Sequence, residues 1–366
     1  MPSPSGQYSK LWFHKEANPG QLAAFGALTG LRPYQEAFLA EPQKNAVRYQ
    51  ENRGGVAFDH FDYAHGQQVI RARSRWAMRY SGVHAAWLGH AIGDCVTTPG
   101  TPNIHRVDGS GTGQFNPVSY LFQAPVNTGT QFEEVQLLGG KIGRLRMSQS
   151  VDLPFVICEM DLVGQDAKYL TTATNNTGLP PDSGGFSPDE PLVIAQHIKT
   201  GNVFLYQVAP GGPLKTLQVE EWSIEINNFP EQRGVISNDT RPSEPTRGQV
   251  REITGSFLVE EDGNLAELQK TYGFTGTDPQ LIAKLEWIYK DPNSTAEVEF
   301  GVHNIRVTSI ERGVEGTGAQ RRRFNFAAQA APTGTGWDED FPLVIFVRNA
   351  RQGPTSSTIP TYGGYV

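Results

Sequence analysis

Arginine recurs at every second position within QVIRARSRWAMRYSG, residues 68–82: Arg71, Arg73 and Arg75 alternate with Ala72, Ser74 and Trp76, and Arg79 keeps the same parity. Alternate side chains of a β-strand share a face. The spacing therefore predicts one face with four guanidinium groups and another with Ile70, Ala72, Trp76 and Met78. Such a row can hold phosphate or meet carboxylates. The other groups able to do chemistry are sparse. Asp59, His60, Asp62 and His65 in FDHFDYAHG are metal-ligand types, but the second half of the chain has no equivalent set, and a polar loop accounts for them. The glycine-rich DGSGTG, residues 108–113, lacks the Lys-Ser/Thr of a phosphate-binding loop. There is no Gly-x-Ser-x-Gly elbow, zinc-protease motif or paired-cysteine set. The adjacent carboxylates Glu133–Glu134 and Glu220–Glu221 are expected on opposite faces of their strands, which rules them out as a glycosidase pair. The chain reads as a non-enzyme with no cofactor, no metal and no catalytic residue.

Size and composition narrow the class. The chain has 366 residues and a formal net charge of −7. An acidic total argues against a general nucleic-acid binder, without excluding a local basic patch. Glycine (40) and proline (25) are frequent enough to favour many turns and short strands over long helices. The first residues lack the apolar core of a signal peptide, and no apolar run approaches a membrane span. Cys95 and Cys158 are expected as two buried thiols. The sequons at Asn175, Asn238 and Asn293 carry little meaning without secretion. The expectation is a soluble protein made in the cytoplasm.

Strand-like segments dominate. In LQVEEWSIEINNF, Glu221, Ser223, Glu225 and Asn227 face one way, and Trp222, Ile224 and Ile226 the other. Two helical patterns, 82–93 and 262–273, each follow a long strand, and Gly273 suits a C-cap. That parallel points to an internal repeat. Residues 54–93 can be laid on 233–273, with Gln68–Val69 on Gln249–Val250 and Gly82 on Gly263. Further on, Gly140 falls on Gly301. Identities are few, and the shared order of elements is the stronger signal. The expected organisation is an N-terminal arm at 1–18, a first half at 19–170, a linker or loop at 171–191, a second half at 192–330 and a C-terminal arm at 331–366. The apolar run FPLVIFVRNA, 341–350, must be buried, and is expected to add to the sheet of a neighbouring subunit. On that view, deleting 337–366 leaves a folded monomer that no longer polymerises.

The order of segments resembles the tail tube proteins of long-tailed, siphophage-type bacteriophages in their duplicated form. LWFHKEANPG resembles the entry segment of that family. LLGGKIGRLRMSQS with CEMDLVGQD resembles its strand pair ending in a short Gly-x-Asp turn. LQVEEWSIEINNF followed by VREITGSFLVEEDGNLAELQKTYG resembles its strand, loop, strand, helix succession, and VEFGVHNIRVTSIERGVEGTGAQRRRFNFAAQ its closing strands. The match spans nearly the whole chain, on diffuse motifs.

The resemblance implies a mainly β fold: two tandem tail-tube β-sandwich or barrel domains, each with a short flanking α-helix. It implies a structural protein of the virion tail that self-assembles into stacked rings and forms the conduit for genome ejection. The implied partners are further copies of the chain, the tape-measure protein in the lumen, and tail terminator and baseplate proteins, while DNA passes without specific binding. Two domains per chain imply trimeric rings with pseudo-six-fold symmetry, with hexameric rings as the alternative. Another β-rich virion component (tail terminator, baseplate hub piece or capsid decoration protein) is the alternative role. A channel for DNA is better lined by acid than by base. Glu221, Ser223, Glu225 and Asn227 are therefore the candidates for the lumen. Arg71, Arg73, Arg75 and Arg79 are assigned to subunit contacts or to neutralisation, with Glu252 and Glu260 as opposite-charge partners, because the repeat lays Arg71 on Glu252 and Arg79 on Glu260.

Overall fold

The computed structural model of the chain describes residues 10–16, 29–31, 39–50, 61–109, 118–125, 132–172, 191–199, 204–208, 211–231, 246–260, 282–313, 321–330 and 341–349. It is mainly β. The strands of the first part are β1 (Lys10–Lys15), β2 (Thr29–Leu31), β3 (Leu39–Gln50), β4 (Phe61–Ala77), β5 (Asp94–Thr98), β6 (Asn103–Asp108), β7 (Val118–Pro125), β8 (Phe132–Ser150), β9 (Ile157–Gly164) and β10 (Asp166–Thr172). Those of the second are β11 (Phe204–Gln207), β12 (Lys215–Leu217), β13 (Val219–Asn227), β14 (Pro230–Glu231), β15 (Thr246–Arg247), β16 (Glu252–Glu260), β17 (Ile282–Lys290), β18 (Glu297–Gly313), β19 (Arg321–Ala328) and β20 (Leu343–Asn349). All pairings are antiparallel, and all strands but β14 and β15 join one connected sheet. Among the described residues the one α-helix is α1, Gly82–Ile92. The expected helix at 262–273 lies outside them.

α1 begins where the sequence places it. The Ser81 hydroxyl accepts from the Val83 N–H at 3.2 Å, a side-chain cap. Every residue of the helix but His90 is buried, as an apolar-all-round helix must be. It ends at Gly93, whose φ of 149° favours glycine.

Two long strands organise the sheet. Along one edge of β8, β10 pairs with Phe132–Leu138 and β9 with Lys141–Ser148. The expected Gly-x-Asp turn between β9 and β10 is only a bend, since both strands follow the same edge of β8. Along the other edge, β7 takes the first part and β13 takes Arg144–Ser150. β18 is built alike: β20 and β19 share one edge, and β17 takes the first part of the other. A layer therefore runs β3, β4, β9, β8, β13, β16, β19, β18, with the second four strands repeating the connectivity of the first four.

The apolar run near the C-terminus is taken up by the chain itself. β20 lies between β6 and β18, with Leu343, Ile345 and Val347 buried. Both of its edges are thus occupied within the chain, contrary to the expectation that it joins a neighbour's sheet.

One core fills the space behind the layer. Trp76 packs on Trp87 and Trp87 on Tyr120, with ring centroids 5.6 and 5.5 Å apart. Trp222, Trp287, Phe300 and Phe204 form a second aromatic group. Where β8 meets β13, the indole of Trp222 donates to Gln149 Oε1 at 3.2 Å and to the Tyr289 hydroxyl at 3.0 Å. Buried polar tips thus find partners at this junction.

Candidate assembly surface

The alternation read from 69–77 holds. Ile70, Ala72, Ser74 and Trp76 are buried, while Arg71 and Arg73 are exposed and Arg75 is half-buried. Arg79 falls past the end of β4, and its backbone N–H donates to His84 Nδ1 at 3.1 Å. The β13 alternation holds as well: Glu221, Ser223, Glu225 and Asn227 are half-buried on the outer side, and Trp222, Ile224 and Ile226 are buried.

Both sets lie on one face of one layer. Arg73 Nε donates to Asp161 Oδ1 at 2.8 Å, and Arg144 Nε to Asp161 Oδ2 at 2.8 Å. Arg144 Nη1 reaches Glu225 Oε2 at 3.7 Å, and Asn227 Nδ2 donates to Glu225 Oε1 at 3.1 Å. Arg75 stands 3.2 Å from Glu159. Register produces this pattern: Arg73 is opposite Asp161 and Arg75 opposite Glu159, while Arg144 and Arg146 stand opposite the same two carboxylates on the far side of β9. The sequence alone separates an arginine surface from a glutamate surface. The fold joins them, through a chain of contacts from Arg73 to Glu225.

The pattern continues across the second four strands. Ser223 and Ser256 hydroxyls are 3.0 Å apart. Arg323 pairs with Glu221, and Arg321 Nε with Glu220 Oε2 at 3.1 Å. Asn325 Nδ2 donates to Ser309 Oγ and to Glu311 Oε1, both at 2.8 Å. Glu220 and Glu221 were expected on opposite faces. A register shift between Val219 and Glu221 turns both toward the arginines of β19.

Glu252 and Glu260 are exposed on the same layer, at the two ends of β16. β4 and β16 are separated by β9, β8 and β13, so the chain does not bring Arg71 to Glu252. Asp161, Glu159, Arg144, Arg321 and Arg323 were missed as site residues. Their signal was faint, since a carboxylate at every second position of CEMDLVG can be read as a partner row only once β9 is known to lie beside β4.

Asp59 and His60 lie outside the described residues, as do the side chains of Asp62 and His65. Among the described residues no group of three or more His, Cys, Asp or Glu is placed to hold a metal ion. No helix of the described residues is long and apolar enough to cross a membrane.

No protein-family model and no curated protein matches the chain. Among solved structures it is similar to a chain of the virion of a native gene transfer agent particle. That likeness has a TM-score of 0.26 and 16% identity, and covers 36% of this chain and 95% of that one. It is a likeness to a virion component, and at that score it carries no argument about fold or role.

Proposed function

We propose that the chain is a structural virion protein that self-assembles into stacked rings forming a tail tube, the conduit for genome ejection. The observation that supports this reading is the contact chain Arg73–Asp161–Arg144–Glu225, which runs through a layer whose end strands, among the described residues, keep an edge without a partner strand along β3 and along β18 beyond Ile305. A channel for duplex DNA meets about one phosphate charge per 1.7 Å, and unpaired arginines would bind it in a salt-dependent way. Arginines already held by carboxylates of adjacent strands present a polar wall that does not grip. On this reading the mixed-charge face lines the lumen, carrying the Glu221–Asn227 row and the arginine row together. The repeated connectivity fits trimeric rings with pseudo-six-fold symmetry. A tape-measure protein would occupy the lumen during assembly, and terminator and baseplate proteins would close the ends.

The test is a negative-stain micrograph of the purified chain, expected to contain hollow tubes or stacked rings, together with native mass spectrometry of a single ring. A protein that stays monomeric at high concentration sinks the reading. Isolated rings that never stack favour a terminator or baseplate role.

A further inference from the structure

Resting on the ring-forming reading, we infer the contact that joins one copy to the next: the outer edge of β3 pairs with the second half of β18 of a neighbouring copy. The junction of β8 and β13 within the chain is its template. β13 opens the second set of four strands and attaches to β8, which closes the first set, along Arg144–Ser150. β3 opens the first set, and among the described residues it pairs only with β4. β18 closes the second set. On the edge that β17 takes up to Ile305, the described residues provide no strand beyond that point. Each chain thus begins and ends its layer with an edge whose counterpart is satisfied inside the same chain. Strand edges of this length that lack a partner among the described residues are the ones able to take another strand. A head-to-tail contact of unlike edges gives rings when its rotation closes.

The template also fixes the register. Asn227 stands opposite Glu252 on β16, and Glu41 stands opposite Arg71 on β4. Arg144 stands opposite Asp161 on β9, and Arg306 opposite Ala327 on β19. Since Asn227 faces Arg144 across the internal junction, Glu41 of one copy faces Arg306 of the next. By the same steps Leu39 faces Ser309, as Glu225 faces Arg146. The repeated strands share three buried positions: Ala72, Trp76 and Met78 correspond to Ile253, Phe257 and Val259, all buried. Arg306 is exposed, with an alanine as its neighbour on β19. At this register position the neighbouring copy carries a glutamate opposite an arginine, where the internal junction carries Asn227 opposite Arg144.

The double variant Glu41→Cys/Arg306→Cys tests the register, because directly opposed strand positions are within disulfide reach. The native Cys95 and Cys158 are buried and do not interfere. Oxidation of the assembled protein is expected to give covalent dimers and larger closed species on a non-reducing gel, absent from either single variant. In parallel, Arg306→Glu and Glu41→Arg are each expected to lower the assembled fraction about tenfold, and the combined swap to restore it. Circular dichroism of each variant confirms that the monomer is folded. Assemblies that form normally with no cross-link, and that tolerate Arg306→Glu, overturn the edge assignment and leave the tube reading standing. A parent protein that never assembles overturns both.

Discussion

The side-chain amide of Asn228 donates to the carbonyl of Ala91 at 2.9 Å, tying the last turn of α1 to the end of β13. The same amide donates to Ile142 O at 3.1 Å, and Asn228 Oδ1 accepts from Arg251 Nε at 2.8 Å. Asn228 is fully buried. It therefore locks helix, β8 and the chain entering β16 together. Asn228→Ala leaves two carbonyls and a guanidinium without this partner, each buried unsatisfied group costing about 1–3 kcal/mol. The expected result is a loss of at least about 2 kcal/mol in urea unfolding. A loss below about 0.5 kcal/mol, the size of an ordinary surface substitution, would remove Asn228 from this role.

Two buried histidines make the fold sensitive to acid. Burial lowers His84 to about 3 and His105 to about 4, with Arg79 adding to the shift at His84. An unfolded histidine takes its proton near 6.5. Below that pH the unfolded chain binds protons that the folded chain does not, so stability is complete above about 6.5 and falls as pH drops toward the folded values. Between about pH 7.5 and about pH 5 each histidine is expected to remove about 2 kcal/mol. His105→Gln should be less stable at the higher pH and lose less on acidification than the parent. Parallel pH profiles for parent and variant would count against it.

Burial also governs the thiols. Cys95 is pushed up to about 12, chiefly by desolvation with Asp94 and Asp108 adding to it, and burial raises Cys158 further still. Thiolate is the reacting form. Neither cysteine is expected to react with a thiol reagent in the folded protein, and both should react in denaturant. Rapid labelling of native protein would show that the α1–β5 contact opens.

What the sequence made legible was local. The period of two around Arg73 and around Ile224 gave the faces of β4 and β13, and the helical pattern over 82–93 gave the place of α1, while its caps at Ser81 and Gly93 came only with the structure. What stayed hidden was which strands lie side by side. Asp161 is 88 residues from Arg73, and no local pattern names a partner at that distance. FPLVIFVRNA demanded burial, but an apolar run is equally satisfied by its own sheet or by another chain's, and only the β6 and β18 edges decide between them. The bulge at Glu220 defeated strict alternation in the same way.

The placement of β20 changes the truncation expected at the C-terminus. Removing residues from 341 onward strips Leu343, Val344, Ile345 and Val347 from the core and opens the edges of β6 and β18. Four buried aliphatic side chains are worth about 6–12 kcal/mol by area. That is comparable to the whole stability of a typical fold, about 5–15 kcal/mol. The truncated chain is therefore expected to be insoluble or unfolded, where the sequence alone led to a folded monomer. A soluble product with native circular dichroism would return β20 to the role of a detachable arm.

The carboxylates of β9 are expected to keep the arginine row from holding DNA. Asp161 accepts from both Arg73 and Arg144, whose side chains are 61% and 33% exposed. Exposed pairs of this kind contribute up to about 1 kcal/mol each, so Asp161→Asn is expected to cost no more than about 2 kcal/mol of stability. Its effect on charge is larger, since it leaves two guanidiniums on one face without their shared carboxylate. Combined with Glu159→Gln, which removes the carboxylate beside Arg75, it turns a balanced face into a basic one. The double variant is expected to retain duplex DNA in low salt, and to lose it steeply as salt rises. The parent should show no such binding. If the parent binds duplex DNA as strongly as the variant under the same conditions, the carboxylates of β9 do not mask the arginines, and this face cannot be the wall along which DNA slides.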